Sequence, residues 1–178
     1  MKKVAFVIFV LFSISNVFAS NIAVISIENI LRDSTTFKKL NDSLEKEKNS
    51  YQSKIKQKEI ELNAKKDDID SKSSILSQET LQKKILEFQK EVLSFQEEIK
   101  NKENELQSKL SYGLSKLNTE VDIIVKEMMK EEKYKGYSIV MNSSVLLYYN
   151  EKDDLTLEVL KRLNKKNISL VKNADKGK

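Results

Sequence analysis

The segment KGYSIVMNSSVLLYYN, residues 135–150, decides the predicted fold. Apolar and polar side chains alternate over residues 137–141, turn-forming residues follow at 142–144, and residues 145–149 alternate again, a pattern typical of a β-hairpin. A two-stranded hairpin alone is only marginally stable in water, so it needs another strand. The other strand-like run is IAVISI, residues 22–27, near the opposite end of the chain. We therefore expect the two ends of the chain to share one three-stranded sheet.

The long stretch between these strands is predicted to be almost entirely helical. Phe37, Leu44 and Tyr51 recur every seven residues and begin a narrow apolar seam on a charged rod. A second seam runs from Leu81 to Met128, with no proline in either run. Two such rods joined by a short polar turn should fold back as an antiparallel pair.

The sequence therefore predicts a mainly α (α+β) protein in which a helical arm is inserted into a small β body. The arm covers residues 37–130, with its tip near residues 71–80, and the body combines residues 20–36 with 131–172. A body of this size is marginal as an independent core, so self-association is expected to cover it. The residues expected in the strands of the body and its subunit contacts are Ile22, Val24, Ile25, Ile139, Val140, Val145 and Leu147.

The amino terminus, MKKVAFVIFVLFSISNVFAS, has the pattern of a secretory signal peptide. Two lysines precede a short apolar run, and small residues stand at the minus-three and minus-one positions. Cleavage is expected between Ala19 and Ser20, which makes residues 1–19 the signal peptide. An uncleaved membrane anchor is the alternative, but polar residues interrupt the apolar run before the roughly 20 residues that a span needs.

The composition argues against an enzyme, a cofactor and a nucleic-acid partner. The chain contains no cysteine, no histidine and three glycines, so it lacks the usual zinc ligands, nucleophile-histidine pairs and glycine-rich phosphate loops. The net charge of +5 is mild and gives no support to a nucleic-acid site. Basic residues concentrate near the carboxyl end, including the tail 173–178. They indicate either a solvated terminus or a contact with an anionic lipid surface.

The two ends of the mature chain resemble those of the Skp (OmpH-like) family of periplasmic chaperones. The resemblance is carried by IAVISIENILRDS, residues 22–34, and YKGYSIVMNSSVLLYYNEKDDLTLEVLKRLN, residues 134–164, while the middle matches in length and periodicity. It implies a homotrimer with three arms around a cavity. It also implies ATP-independent holding of unfolded outer-membrane proteins in the periplasm. Members of the family often have basic arms, whereas these arms are nearly neutral, so no electrostatic client or lipopolysaccharide site is transferred.

The outer half of the arm carries more apolar residues than one helix-helix seam needs. Leu86 and Leu93 fall off the seam that contains Phe88 and Phe95, and these four residues are the candidate client-binding site. The alternative is that they pack within the helical pair. Gly113 indicates either a hinge near the root of the arm or a close helix contact. For the whole protein, the alternative to a chaperone is a periplasmic coiled-coil scaffold or envelope adaptor.

Overall fold

The structure, a computed structural model, describes residues 21–170. In chain order its main elements are strand β1 (Asn21–Ile25), helix α1 (Ile27–Asp33), helix α2 (Thr35–Lys72), helix α3 (Gln78–Met128), strand β2 (Tyr137–Asn142) and helix α4 (Thr156–Lys165). Helix accounts for 77% of this part of the chain, which confirms the mainly helical prediction. The predicted signal peptide, its cleavage site and the basic tail lie outside the described residues.

The two strands pair across the arm. β1 and β2 are parallel, with Ile22 opposite Ile139 and Val24 opposite Met141. A parallel pair requires a long crossover connection, and here the crossover includes α1, α2 and α3. The ends of the helical insertion are therefore held together by backbone hydrogen bonds between residues far apart in the sequence.

The prediction of a second hairpin strand is wrong for this chain. Ser143–Val145 forms one 3-10 turn, and residues 146–150 contain no strand. Val145 and Leu147 therefore lie outside the sheet, which has two strands over residues 21–170. The edge of β1 away from β2 is bridged to the residues that precede α4, where the Leu155 N–H donates to the Val24 carbonyl at 2.8 Å. The predicted hairpin strand would have paired with the outer edge of β2, and that edge carries no strand over residues 21–170.

The core of the protein lies where the arm joins the body. The last four turns of α3 bury Leu117, Val121, Ile124 and Met128. These side chains belong to one cluster with residues from α1, α4 and the turn before β2, namely Ile30, Val159, Leu163 and Tyr134. The root of α3 is thus part of the folded body, and the arm is anchored by hydrophobic packing.

Beyond the root, α2 and α3 form a two-helix arm that has little core of its own. α2 has three buried residues, Leu40, Leu62 and Ile69, whereas α3 has none before Gly113. The turn between the helices begins at Ser73 and ends at Ser77, whose side chain caps α3. At about 1.5 Å per residue, the 51 residues of α3 extend roughly 77 Å. Long helices with one narrow seam leave most of the arm surface exposed.

Gly113 is a close-packing position at the root of the arm. A Cβ atom at this residue would lie 2.3 Å from a methyl carbon of Leu40 and 3.5 Å from the carbonyl oxygen of Leu170. Gly113 is buried, and so are both neighbours. Of the two interpretations offered by the sequence, the contacts favour close packing over a hinge.

Candidate interaction surfaces of the helical arm

The four candidate binding residues of α3 lie on two different surfaces. Leu86 and Leu93 are 57% and 64% exposed, while Phe88 and Phe95 are half-buried and line a cavity between the helices. Two residues of α-helix turn the direction of a side chain by roughly 160°. Leu86 therefore faces away from the seam that contains Phe88, and the four candidates divide into an outer leucine pair and an inner aromatic pair.

The arm contains an internal repeat that relates α2 to α3. Residues 44–66, LEKEKNSYQSKIKQKEIELNAKK, and residues 88–110, FQKEVLSFQEEIKNKENELQSKL, are identical at 11 of 23 positions. Several of the other positions exchange similar residues, such as Tyr51 and Phe95. Comparing the sequence with itself at an offset of 44 residues would have found the repeat, whereas a search for heptads alone does not.

The ion pairs between the helices follow the same repeat. Glu47 of α2 binds Lys102 and Lys109 of α3 at 2.6 and 2.8 Å. The equivalent Glu91 of α3 binds Lys58 and Lys65 of α2. Exchanging the two helices therefore reproduces the same set of pairs, so the arm has a local pseudo-two-fold axis perpendicular to its length.

These contacts lower the pKa values of the carboxylates. Hydrogen bonds from Lys58 and Lys65 hold the pKa of Glu91 at about 2, and bonds from Lys102 and Lys109 lower that of Glu47. The pairs are partly exposed to solvent, so they contribute to register more than to overall stability. Because each carboxylate lies between two lysines of the facing helix, a slip of the helices past one another would separate all four pairs.

The opposite flank of the seam has three adjoining cavities. Their volumes are about 450, 350 and 530 Å³, counted from the root toward the tip. Lys48 and Leu106 line both the first and the second, and Ile99 lines both the second and the third. Gln52 lines the second cavity. It follows Glu47 by five residues, so the two side chains point roughly 140° apart around α2. The cavities therefore form a continuous groove on the flank away from the ion-pair carboxylates.

One position in the seam breaks the repeat in its hydrogen bonding. The hydroxyl oxygen of Tyr51 is shielded from solvent and has no partner at normal hydrogen-bond geometry in the described part of the chain. Burial raises the pKa of this hydroxyl, and so do the charge of the Glu98 carboxylate and a weak, poorly aligned hydrogen bond to it. The equivalent residue, Phe95, fills the same place without a polar atom. Tyr51 therefore carries an unsatisfied group that the packing of the arm does not need.

The chain is similar to proteins of a known family. The family model for outer membrane protein (OmpH-like) matches residues 21–163. The chain belongs to the OmpH-like family. A crystal structure of a candidate outer membrane chaperone (OmpH-like) from Caulobacter crescentus CB15 is similar, with a TM-score of 0.73 and 14% identity, over 82% of this chain and 84% of that one. No curated protein sequence matches significantly.

Membership confirms the resemblance inferred from the two ends of the sequence. OmpH-like proteins are chaperones and not enzymes, so the family indicates a chaperone role. At 14% identity the similarity to the Caulobacter crescentus protein shows the fold alone. Over residues 21–170, no helix is both long and apolar enough to cross a membrane.

The body of this OmpH-like protein has an exposed apolar surface beside β2. Of the predicted body residues, Val24 and Ile25 are buried and Val140 is half-buried, so they belong to the core of the single chain. Others are open to solvent on the two strands and in the segment that follows β2. These exposed residues are Ile22, Ile139, Val145 and Leu147, together with Tyr148. Such a surface on a small body is expected to contact another protein surface.

The basic residues of α4 are partly neutralised within the OmpH-like chain. Arg162 binds both Glu131 and Glu158, which raises the pKa of its guanidinium group. Lys166 lies 3.5 Å from Glu120 and 3.9 Å from Glu127. The surface charge near the carboxyl end is therefore lower than the count of lysine and arginine residues suggests. This weakens the argument for a contact with an anionic lipid surface.

Proposed function

We propose that this OmpH-like protein is an ATP-independent periplasmic holdase that binds unfolded outer-membrane proteins between the helical arms of a homotrimer. Nascent barrel strands present alternating apolar residues that have no partner until they reach the outer membrane. Several weak contacts on linked arms combine through effective concentration, so capture is tight but reversible without nucleotide. The signal-peptide pattern of residues 1–19 supports the periplasmic location.

The observation that carries this proposal is the exposure of Leu86 and Leu93. At the same offset of 44 residues, Leu93 corresponds to Asn49 within the repeat, and Leu86 corresponds to Asp42, two residues before the repeat begins; both polar residues are exposed. The repeat shows that polar residues are compatible with helix packing at these positions. The leucines are thus not required by the arm itself, and binding an apolar client explains them.

A solubility assay with paired variants tests the client site. The mature protein is expected to keep an unfolded barrel protein soluble without ATP. A variant with Leu86→Asp and Leu93→Asn carries the residues found 44 positions earlier in α2 and should weaken this activity while helicity stays unchanged. The reciprocal change, Asp42→Leu with Asn49→Leu, adds equivalent leucines to α2 and should preserve or strengthen it.

Two results would contradict the proposed function and its site. A large loss of helicity in the first variant would mean that the leucines pack within the arm. If the mature protein has no effect on barrel solubility, a scaffold or envelope adaptor would become the better explanation, because such a protein needs no affinity for unfolded chains.

The exposed residues beside β2 support the homotrimer. Val145, Leu147 and Tyr148 are exposed in the segment that follows β2, and the edge of β2 away from β1 pairs with no strand over residues 21–170. Other subunits that cover this surface would satisfy the edge and bury the apolar side chains. The solution mass of the mature protein should be three times that of one chain, and Leu147→Asp should lower it. A monomeric mass for the unaltered protein would contradict the trimer.

A further inference from the structure

We infer that the flank of the arm opposite its ion-pair carboxylates is a groove for extended apolar segments, and that it accepts them in either chain direction. The groove is the row of three cavities that starts at Leu44 and Leu110 and ends at Leu62 and Phe88. The inference rests on the proposed holdase function. It adds a second surface to the outer leucine pair and specifies the conformation of the bound client.

The length of the groove fits one strand of a membrane barrel. Phe88 and Leu110 are 22 residues apart, which spans roughly 33 Å of α-helix. An extended chain of about ten residues has the same length at about 3.3 Å per residue. Strands that cross an outer membrane contain about 9–11 residues. One groove can therefore hold one such strand over its full membrane-spanning length.

The polarity of the groove also fits a barrel strand. Its floor is formed by seam residues such as Ile55, Ile99 and Leu106, while Gln52 and Glu103 are among the polar and charged residues that line it. A barrel strand is apolar on one face and polar on the other. Its apolar face can lie on the floor while its polar face meets the rim.

The pseudo-two-fold axis makes the two directions of the groove nearly equivalent. Gln52 and Leu106 of the second cavity correspond to Gln96 and Leu62 of the third. A strand therefore meets similar side chains whether it enters from the root or from the tip. This equivalence suits a chaperone whose clients contain antiparallel strands, because neighbouring strands of one client run in opposite directions.

Site-specific photo-crosslinking tests the groove. The mature full-length protein is mixed with a peptide of about ten residues that alternates leucine and serine, the length of one barrel strand, and carries a photoreactive group at its amino terminus. Crosslinks are expected on groove residues near Leu44 and near Phe88 in comparable yields. Moving the photoreactive group to the carboxyl terminus should leave this pattern unchanged.

Three exposed positions provide matched variants. Gln52→Trp and its repeat equivalent Gln96→Trp place a bulky side chain in the groove and should each reduce labelling. Gln57→Trp lies on the other flank, where it lines a separate cavity, and should leave labelling unchanged. The helicity of all three variants is measured to confirm that they fold.

The inference and the proposed function fail in different ways. Labelling with a bias of about tenfold or more toward one orientation, equivalent to about 1.4 kcal/mol, would overturn the direction-independent binding. Labelling outside the groove, or equal loss in all three variants, would overturn the groove itself. Either result together with normal holding of an unfolded barrel protein would leave the holdase function in place, whereas loss of holding would refute that function separately.

Discussion

Replacing Gly113 with alanine measures how tightly the root of the arm is packed. Alanine is more favourable than glycine in a helix interior by about 1 kcal/mol. Against this gain, the new Cβ would lie 2.3 Å from the Leu40 methyl carbon, whereas carbon atoms in contact are about 3.5–4.0 Å apart. Leu40 is buried, so its methyl group must move by more than about 1 Å within a filled space. Overpacking of this kind costs about 1–3 kcal/mol.

The expected net effect is a loss of stability of about 1 kcal/mol, with a range of about 0–2. The effect of Gly113→Ala on stability should change from a loss to a gain when Leu40 is first replaced by alanine. That change alone should cost about 2–5 kcal/mol, but it removes the methyl group that opposes the new Cβ. In the Leu40→Ala background, Gly113→Ala should therefore stabilise the protein by about 1 kcal/mol.

Urea unfolding followed by circular dichroism gives the free energies of the four proteins in this cycle. All four must be measured at one protein concentration, because self-association shifts the midpoint. If Gly113→Ala stabilises both the unaltered protein and the Leu40→Ala variant, then the close contact has no energetic consequence. The packing interpretation would then be wrong, and a hinge would be the better account of the glycine.

Three other changes have clear expected results. Tyr51→Phe removes the unsatisfied hydroxyl and should stabilise the arm by about 1–2 kcal/mol in the same urea assay; a loss of stability would show that the hydroxyl is bonded in solution. Thr156→Val removes the oxygen that accepts the Ser26 N–H at 2.8 Å and should cost about 1–3 kcal/mol, with Thr156→Ser as the control that restores the bond. The pKa values of Glu91 and Glu105 are about 2, below the ordinary 4.5. Their ion pairs therefore contribute to folding stability above about pH 4.5, and this contribution is lost as the pH falls toward 2. The melting temperature should consequently fall over that pH interval, and less so in high salt; a fall centred near pH 6 would contradict this assignment.

The sequence was sufficient to predict the helical arm and the pairing of the two chain ends. Heptad spacing located both helices because one narrow apolar seam repeats along each of them. The pairing of residues 22–27 with the segment after the arm followed from the instability of an isolated hairpin. These features depend on local patterns and on one simple argument about strand partners.

The prediction that failed and the features that were missed depended on contacts that no local pattern reveals. Residues 145–149 alternate like a strand, but Ser143–Val145 forms a 3-10 turn and the residues after it form no ladder with β2. The four candidate binding residues were grouped as one site, although helical geometry puts Leu86 on the other side of α3 from Phe88, and their role in binding stays a prediction. The interhelical ion pairs and the groove were missed because they depend on which residues of α2 face which residues of α3. Aligning α2 with α3 would have indicated both.

The parallel pairing of β1 with β2 also constrains the order in which the chain folds. The residues of β1 must wait until the whole arm and β2 have been synthesised before they find their partners. Loop closure over such a separation is slow for a flexible chain, but a zipped helical hairpin brings its two ends together. Formation of the arm should therefore set the folding rate of the body. Destabilising the turn at residues 73–77 should slow assembly of a sheet that lies at the far end of the molecule.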